Sequence, residues 1–272
     1  MDDQTVQMAC IARAVTAAGS DAFPEALTAL LQSAFAFDSL FVSVFTQDHA
    51  PRQLYSNLDD DATRHTIGPY LSYAYLLDPF YGLFKADVGT TVVSLDDCAP
   101  DDFQSTEYYR IFYSDTGLRD EVTLFVATAP GTSIVLSLGQ RAFRRPRRPD
   151  ACIGLQTLLP VIAALCRKQW PNPTGLAPAL LSDGLNFDRL GTPKLSAREA
   201  EVVRLMLKGH STKSMARLLG NSPETVKVHR KRIYSKLSIS SQGELFSRFL
   251  GGADALPMGR EVDLGAQVGL LN

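Results

Sequence analysis

Between residues 222 and 237 the chain reads SPETVKVHRKRIYSKL, a run that mixes cationic, hydroxyl and aliphatic side chains at helical spacing. Val226, Ile233 and Leu237 recur at intervals of seven and four, which makes an apolar stripe on one side of a helix. Lys227, Arg230, Lys231 and Tyr234 fall largely on the other faces. Such a helix packs with one side and meets an anion with the other. A polyanion suits it, because each phosphate neutralised by Lys or Arg releases condensed counterions and adds salt-sensitive affinity. Ser222 and Thr225 at the start of this run, with Thr212 and Lys213 ahead of it, supply hydroxyls, backbone N–H groups and one more charge to position phosphates.

A second constellation is aromatic. Eight of the nine tyrosines lie between residues 55 and 113: Tyr55, Tyr70, Tyr73, Tyr75, Tyr81, Tyr108, Tyr109 and Tyr113. Tyrosine offers apolar area and one hydroxyl that needs a partner, a combination that lines ligand pockets well. The stretch YLSYAYLLDPFY sets Asp78 before Pro79 among apolar neighbours, where a buried carboxylate is costly without a partner. Two readings stand side by side. Asp78 caps a helix that begins at Pro79 and the tyrosines are core, or Asp78 receives a ligand N–H or ammonium inside a wall of Tyr55, Tyr70, Tyr73, Tyr81 and Tyr109.

Other chemistry lacks support. His49, His65, His210 and His229 have no metal-ligand spacing, and there is neither a GxSxG elbow nor a glycine-rich phosphate loop. Cys10, Cys98, Cys152 and Cys166 make no CxxC pair and read as reduced thiols. The aspartates at 59–61 and at 96, 97, 101 and 102 read as solvated loops or helix caps, not as a cation site. No catalytic residue, metal or cofactor is therefore expected, and the chain does not read as an enzyme. A phosphoacceptor receiver is excluded by an order that begins with helices and lacks βα alternation. The longest mostly apolar stretch, Ala151 to Cys166, is short for a bilayer span and is interrupted by Gln156, Thr157 and Pro160. With an acidic start in place of a secretion signal, the expectation is a cytoplasmic protein with no membrane partner.

The elements that must hold these residues follow from period and charge. Residues 191–250 hold 12 Lys+Arg against 4 Glu and no Asp, whereas the rest of the chain holds 15 basic and 25 acidic residues. A polycation is attached to an acidic body. Helical patterns cover 5–18, 21–37, 70–86, 102–115 and 150–170, with strands at 39–47, 52–57, 90–95, 121–128 and 133–139, the last two flanking a hairpin turn at 129–132. The expected class is α+β: an N-terminal α/β/α sandwich around an antiparallel sheet, of PAS/GAF type, and a C-terminal all-α four-helix unit. Residues 1–170 form the first domain, 171–193 a Pro- and Gly-rich linker, 194–250 the basic domain and 251–272 a tail. The arginines at 141, 144, 145, 147 and 148 read as a solvated loop.

Start and stop signals are dense in the basic domain. Ser196 and Glu199 make a capping box, Gly209 a left-handed stop, Ser211 the next cap, and Ser222-Pro223 a cap followed by proline at the first helical position. Ser241 and Glu244 announce a fourth helix. Two short helices joined by a Gly-containing turn form a helix-turn-helix. His229 reads as a semi-buried packing residue, and Arg232 and Lys236 as solvated charges.

The stretches LSARE, KGHSTK and ETVKVH, with Ala216, Leu218, Leu219, Ile233, Lys236 and Leu237, resemble the C-terminal DNA-binding domain of LuxR-type transcription regulators. The resemblance implies double-stranded DNA as partner, with Lys227, Val228 and Lys231 at base edges or nearby phosphates and Thr212, Lys213 and Thr225 on the backbone. It also implies a homodimer on an inverted-repeat operator. The Asp78-Pro79 pair and the α-β-α order are similar to the autoinducer-binding domain of quorum-sensing receptors of that type. His65 and Pro69 stand where those receptors carry a tryptophan and a tyrosine, so the effector expected is a small metabolite other than an acyl-homoserine lactone. Such a lactone, or a protein partner in place of any metabolite, is the alternative.

Overall fold

The computed structural model describes residues 3–59, 66–72, 74–141, 152–174 and 195–254. Helices α1 (Asp3–Ala17) and α2 (Phe23–Gln32) precede strands β1 (Ser39–Thr46) and β2 (Arg52–Ser56). Helix α3 (Pro79–Lys85) and strand β3 (Thr91–Ser94) follow, then the hairpin of β4 (Leu118–Ala129) and β5 (Thr132–Arg141), then α4 (Ile153–Gln169). The strands form one antiparallel sheet in the order β2-β1-β5-β4-β3. The hairpin turns on Pro130-Gly131, with Gly131 at φ 66°, a conformation open to glycine without a Cβ penalty.

Strand period two divides the side chains between two faces. Leu40 and Val42 of β1, Val122, Leu124 and Val126 of β4, and Ile134, Leu136 and Leu138 of β5 pack with α2 and α4, where Phe23, Leu27, Leu31, Leu155 and Ile162 are buried. The alternate residues, among them Phe41, Glu121, Thr123 and Ser137, point to the opposite face, which carries the aromatic layer of Tyr75, Phe80, Phe103, Tyr108 and Tyr113. The sheet is covered on both sides, as the α/β/α reading expects.

Three expected helices differ. The pattern 21–37 stops at Gln32. The stretch 70–86 divides into Gly68–Ser72, a 3-10 turn at Ala74–Leu77 and α3, because Asp78 precedes proline and takes an extended backbone (φ −67°, ψ 125°) that the following ring favours. The stretch 102–115 becomes a 3-10 turn (Phe103–Ser105), a short helix (Glu107–Tyr109) and a π turn (Arg110–Ser114). The break falls at Thr106, whose extended backbone lets its hydroxyl accept from Tyr109 N. Tyr73, the linker residues 175–193, the arginines at 144–148 and the tail beyond Asp254 lie outside the described residues.

The basic segment folds as α5 (Ala197–Lys208), α6 (Thr212–Leu218), α7 (Pro223–Leu237) and α8 (Gln242–Asp254), the last continuing four residues past the expected boundary at 250. Its signals act as the sequence implies. Ser196 and Glu199 close both bonds of the capping box, Gly209 adopts φ 88°, and Ser211 and Ser222 accept from Ser214 N and Thr225 N. Val202, Val203, Met206, Met215, Val226, Ile233 and Leu237 fill the centre of the bundle.

Candidate functional site

On α7 the apolar stripe is buried and the opposite face is open. Lys227 and Lys231 are exposed, as are Ser222 and Thr225, and Val228 between the two lysines is 49% exposed. An aliphatic side chain that is half uncovered and flanked by cations is placed to touch a partner. Lys213 on α6 is also exposed. Arg230 is held back: its Nη1 donates to Thr212 Oγ1 at 3.0 Å, so this pair braces α6 against α7. His229 is half-buried in the bundle. Lys236, expected to be solvated, instead donates at 2.7 Å to Glu199, which is 4% exposed. Burial pushes the Glu199 carboxyl up, but bonds from Lys236 and Ser196 outweigh it and the net direction is down.

A second site lies on the aromatic face of the sheet. A cavity of about 90 Å³ is lined by Tyr70, Asp78, Tyr108, Phe112, Tyr113 and Glu121, with Ser39, Phe41, Ser137 and Gly139 on its strand side. Register builds that strand side: Ser39 and Glu121 both pair with Gly139, and Phe41 and Thr123 both pair with Ser137. Gly139 must be small, since a Cβ there would lie 2.5 Å from Ser39 Oγ and 2.9 Å from Leu118 Cδ2.

Asp78 satisfies both of its sequence readings at once. Its Oδ1 accepts from Phe80 N at 2.8 Å and so caps α3, while its Oδ2 accepts from the Tyr70 hydroxyl at 2.6 Å on the cavity wall. Across the cavity the Tyr113 hydroxyl donates to Glu121 Oε2 at 2.8 Å and Thr123 Oγ1 donates to Glu121 Oε1 at 3.1 Å. Burial, reinforced by the neighbouring Glu121 charge, pushes Asp78 up to about 7, with the bonds from Tyr70 and Phe80 N opposing. Burial likewise raises Glu121, against bonds from Tyr113, Ser137 and Thr123. The hydroxyls of Tyr70, Tyr108 and Tyr113 are raised by burial and by the two carboxyls.

Of the residues proposed from sequence, Tyr70 and Asp78 line this cavity. Tyr55 packs against the α2–α4 side of the sheet, Tyr81 sits among Phe45, Tyr75 and Phe84, and Tyr109 stacks on Tyr113 at 5.2 Å outside the lining. Tyr108, Tyr113 and Glu121 complete the wall in their place. The strand alternation held a signal for Glu121: an acid on the face opposite Val122 and Leu124, in a strand covered on both sides, has to enter a buried site.

The sheet unit and the bundle are docked. Asp101 accepts from Ser211 N at 3.0 Å and from Ser211 Oγ at 2.6 Å, bonds that lower its carboxyl, and Asp102 N donates to Gly209 O at 2.9 Å. Apolar packing continues from Phe103 and Tyr108 to Val202, Met206 and Phe246. Lys208 at the end of α5 is largely buried; desolvation lowers its ammonium while the Asp78 charge raises it. Asp97 closes a capping box with Ser94, so the aspartates near residue 100 serve caps and docking. Among the described residues no group of three or more His, Cys, Asp or Glu is placed to hold a metal ion, and no helix is long and apolar enough to cross a membrane.

Residues 193–249 match the family model of bacterial regulatory proteins, luxR family. The chain is 33% identical over 166 residues to the HTH-type transcriptional regulator in the exeN 3′ region of Aeromonas salmonicida, covering 56% of this chain and 83% of that relative. The chain belongs to the LuxR family. This LuxR-family protein, a transcription regulator, is also 27% identical over 184 residues to the monoamine regulon transcriptional regulator of Klebsiella aerogenes, covering 68% of this chain and 72% of the relative. The VqsR LBD domain of Pseudomonas aeruginosa superposes with a TM-score of 0.55 at 22% identity, covering 62% of this chain and 98% of that domain, and so shares the fold of the LuxR-family N-terminal unit.

Proposed function

We propose that this LuxR-family regulator reads double-stranded DNA through α7, and that a small-molecule effector in the Tyr70–Asp78–Glu121 cavity controls it. The observation that carries the DNA reading is the open face of α7: Lys227, Val228 and Lys231 are exposed while Val226, Ile233 and Leu237 are buried. Lys227, Lys231 and Val228 meet base edges or nearby phosphates, and Thr212, Lys213, Ser222, Thr225 and Arg230 position or brace the backbone contacts. A homodimer engages an inverted repeat whose half-site centres lie about one helical turn apart. Residues 1–170 act as the sensing domain, 171–193 as linker and 194–250 as the reading domain. The protein acts in the cytoplasm and is no enzyme.

Support for the effector reading is the cavity with convergent polar groups, whose Asp78 feels the charge of Lys208 in the reading domain, while Asp101 bonds Ser211 of that domain nearby. An effector biases the regulator by its differential affinity for docked and undocked arrangements of the two domains. Lys227→Ala and Lys231→Ala should each weaken operator binding several-fold and reduce the slope of log affinity against log salt by about one. Gel-shift titrations at three salt concentrations measure both quantities. Unchanged affinity and slope in both variants would remove α7 from the DNA interface.

A further inference from the structure

The cavity holds two buried carboxyls, and among the described residues none that lines it is a cation. Asp78 accepts from the Tyr70 hydroxyl and Phe80 N, and Glu121 from the hydroxyls of Tyr113 and Thr123, all neutral donors. Among the described residues the positive charge that acts on Asp78 is Lys208, which belongs to α5 of the other domain. Two carboxylates in one desolvated space repel, and the site is stable when a single positive charge enters it. A proton supplies that charge when the cavity is empty.

Tyr108 stands in the same wall. It is 2% exposed and lines the cavity, where burial and the charges of Asp78 and Glu121 raise its phenol. A buried hydroxyl that borders a cavity bonds a polar atom placed there at little cost. Tyr70, Phe112 and Tyr113 add aromatic rings to a wall that also holds Leu58, Ile67 and Leu118, and aromatic rings attract cations.

We infer that the effector of this cavity is a small organic ammonium ion, whose N–H groups bridge the carboxylates of Asp78 and Glu121 while Tyr108 bonds a polar atom beside the nitrogen. The inference rests on reading the cavity as the effector site and names the chemical class that site takes. At about 90 Å³ the space holds the equivalent of about three waters, which suits the ammonium end of a short amine. A neutral amide supplies one N–H to one carboxyl and leaves the pair repelling; an ammonium ion satisfies both. The ammonium replaces the proton of the empty site, so near neutral pH up to one proton passes to buffer as the amine cation binds.

The probes are n-propylammonium and 2-hydroxyethylammonium, set against n-butanol and propionamide as neutral counterparts of similar size. Full-length protein is followed by thermal melting and by calorimetry at pH 7 in two buffers of different ionisation enthalpy. The expected result is a melting shift with the ammonium ions and none with the neutral compounds, a buffer-dependent enthalpy corresponding to release of up to one proton, and at least about tenfold weaker binding in Asp78→Asn and Glu121→Gln. Should a variant fail to fold, the proton count on the wild-type protein still decides. Binding of propionamide or n-butanol at least as tight as that of the ammonium ions, abolished by Asp78→Asn, overturns the cationic class but keeps the cavity as effector site. No response to any of the four overturns both.

Discussion

Asp78→Asn should change how the stability of this protein depends on pH. The Asp78 carboxyl stands at about 7 in the folded state, against about 3.9 for an unfolded chain. A raised carboxyl holds its proton in the folded state at pH values where the unfolded chain has released it. Stability from this group is therefore fully present below about pH 4, falls as pH rises towards 7, and levels off above. At roughly 1.4 kcal/mol per pH unit for one proton, the loss between pH 5 and pH 8 is about 2–3 kcal/mol. The groups that act on Asp78 include Glu121, Tyr70 and Lys208, and Cys98 and Tyr108 feel its charge; the thiol and the phenols stay protonated across this window. Asparagine has nearly the same shape, can still accept from Phe80 N, and carries no ionisable proton. Denaturant unfolding of wild type and Asp78→Asn followed by circular dichroism at pH 5, 6, 7 and 8 isolates the group, because exposed acids cancel in the difference. The variant should gain about 2–3 kcal/mol on the wild type across that range. A difference that stays constant within about 0.5 kcal/mol would show that Asp78 does not carry the buried charge described above.

Three further outcomes follow from the packing. Lys236→Ala should destabilise the bundle by about 1–2 kcal/mol, because it leaves the buried Glu199 carboxyl with capping bonds only; Glu199→Gln in the Lys236→Ala background should recover part of that loss in the same unfolding assay. Gly209→Ala should cost more than the roughly 1 kcal/mol of a left-handed backbone alone, since its Cβ would also lie 2.7 Å from Phe103 Cα and 2.8 Å from Thr106 Cγ2 across the domain interface. A melting temperature equal to that of wild type contradicts this contact. Asp101→Ala removes two exposed bonds to Ser211 and should alter global stability by no more than about 1 kcal/mol, yet open the docking enough to speed proteolysis between residues 100 and 107; an unchanged cleavage rate refutes its latching role.

Much of the reading domain is legible along the chain because its signals are local. Ser196 with Glu199, Ser211, Ser222 with Pro223, and Gly209 each act within one helical turn, so their spacing alone places the helix ends. The hairpin was equally plain from Pro130-Gly131 between two β-branched runs. Long apparent helices were less so: the periods of 70–86 and 102–115 reflect faces that happen to pack together, and single residues, Asp78 before proline and the capping Thr106, cut them. Lys236 looked solvated because its partner lies 37 residues away on another helix.

The amino-acid sequence by itself determined the family, the helix-turn-helix and the outward Lys227–Lys231 face, since helical period and capping depend on neighbours within a few positions. It also singled out Asp78 and Tyr70. Only the tertiary structure brought Glu121 to the cavity that Asp78 enters, chose Tyr108 and Tyr113 over Tyr81 and Tyr109, and seated Asp101 on Ser211. Those choices depend on strand register and domain docking, which are set by burial summed over the whole sheet and not by any short stretch of chain.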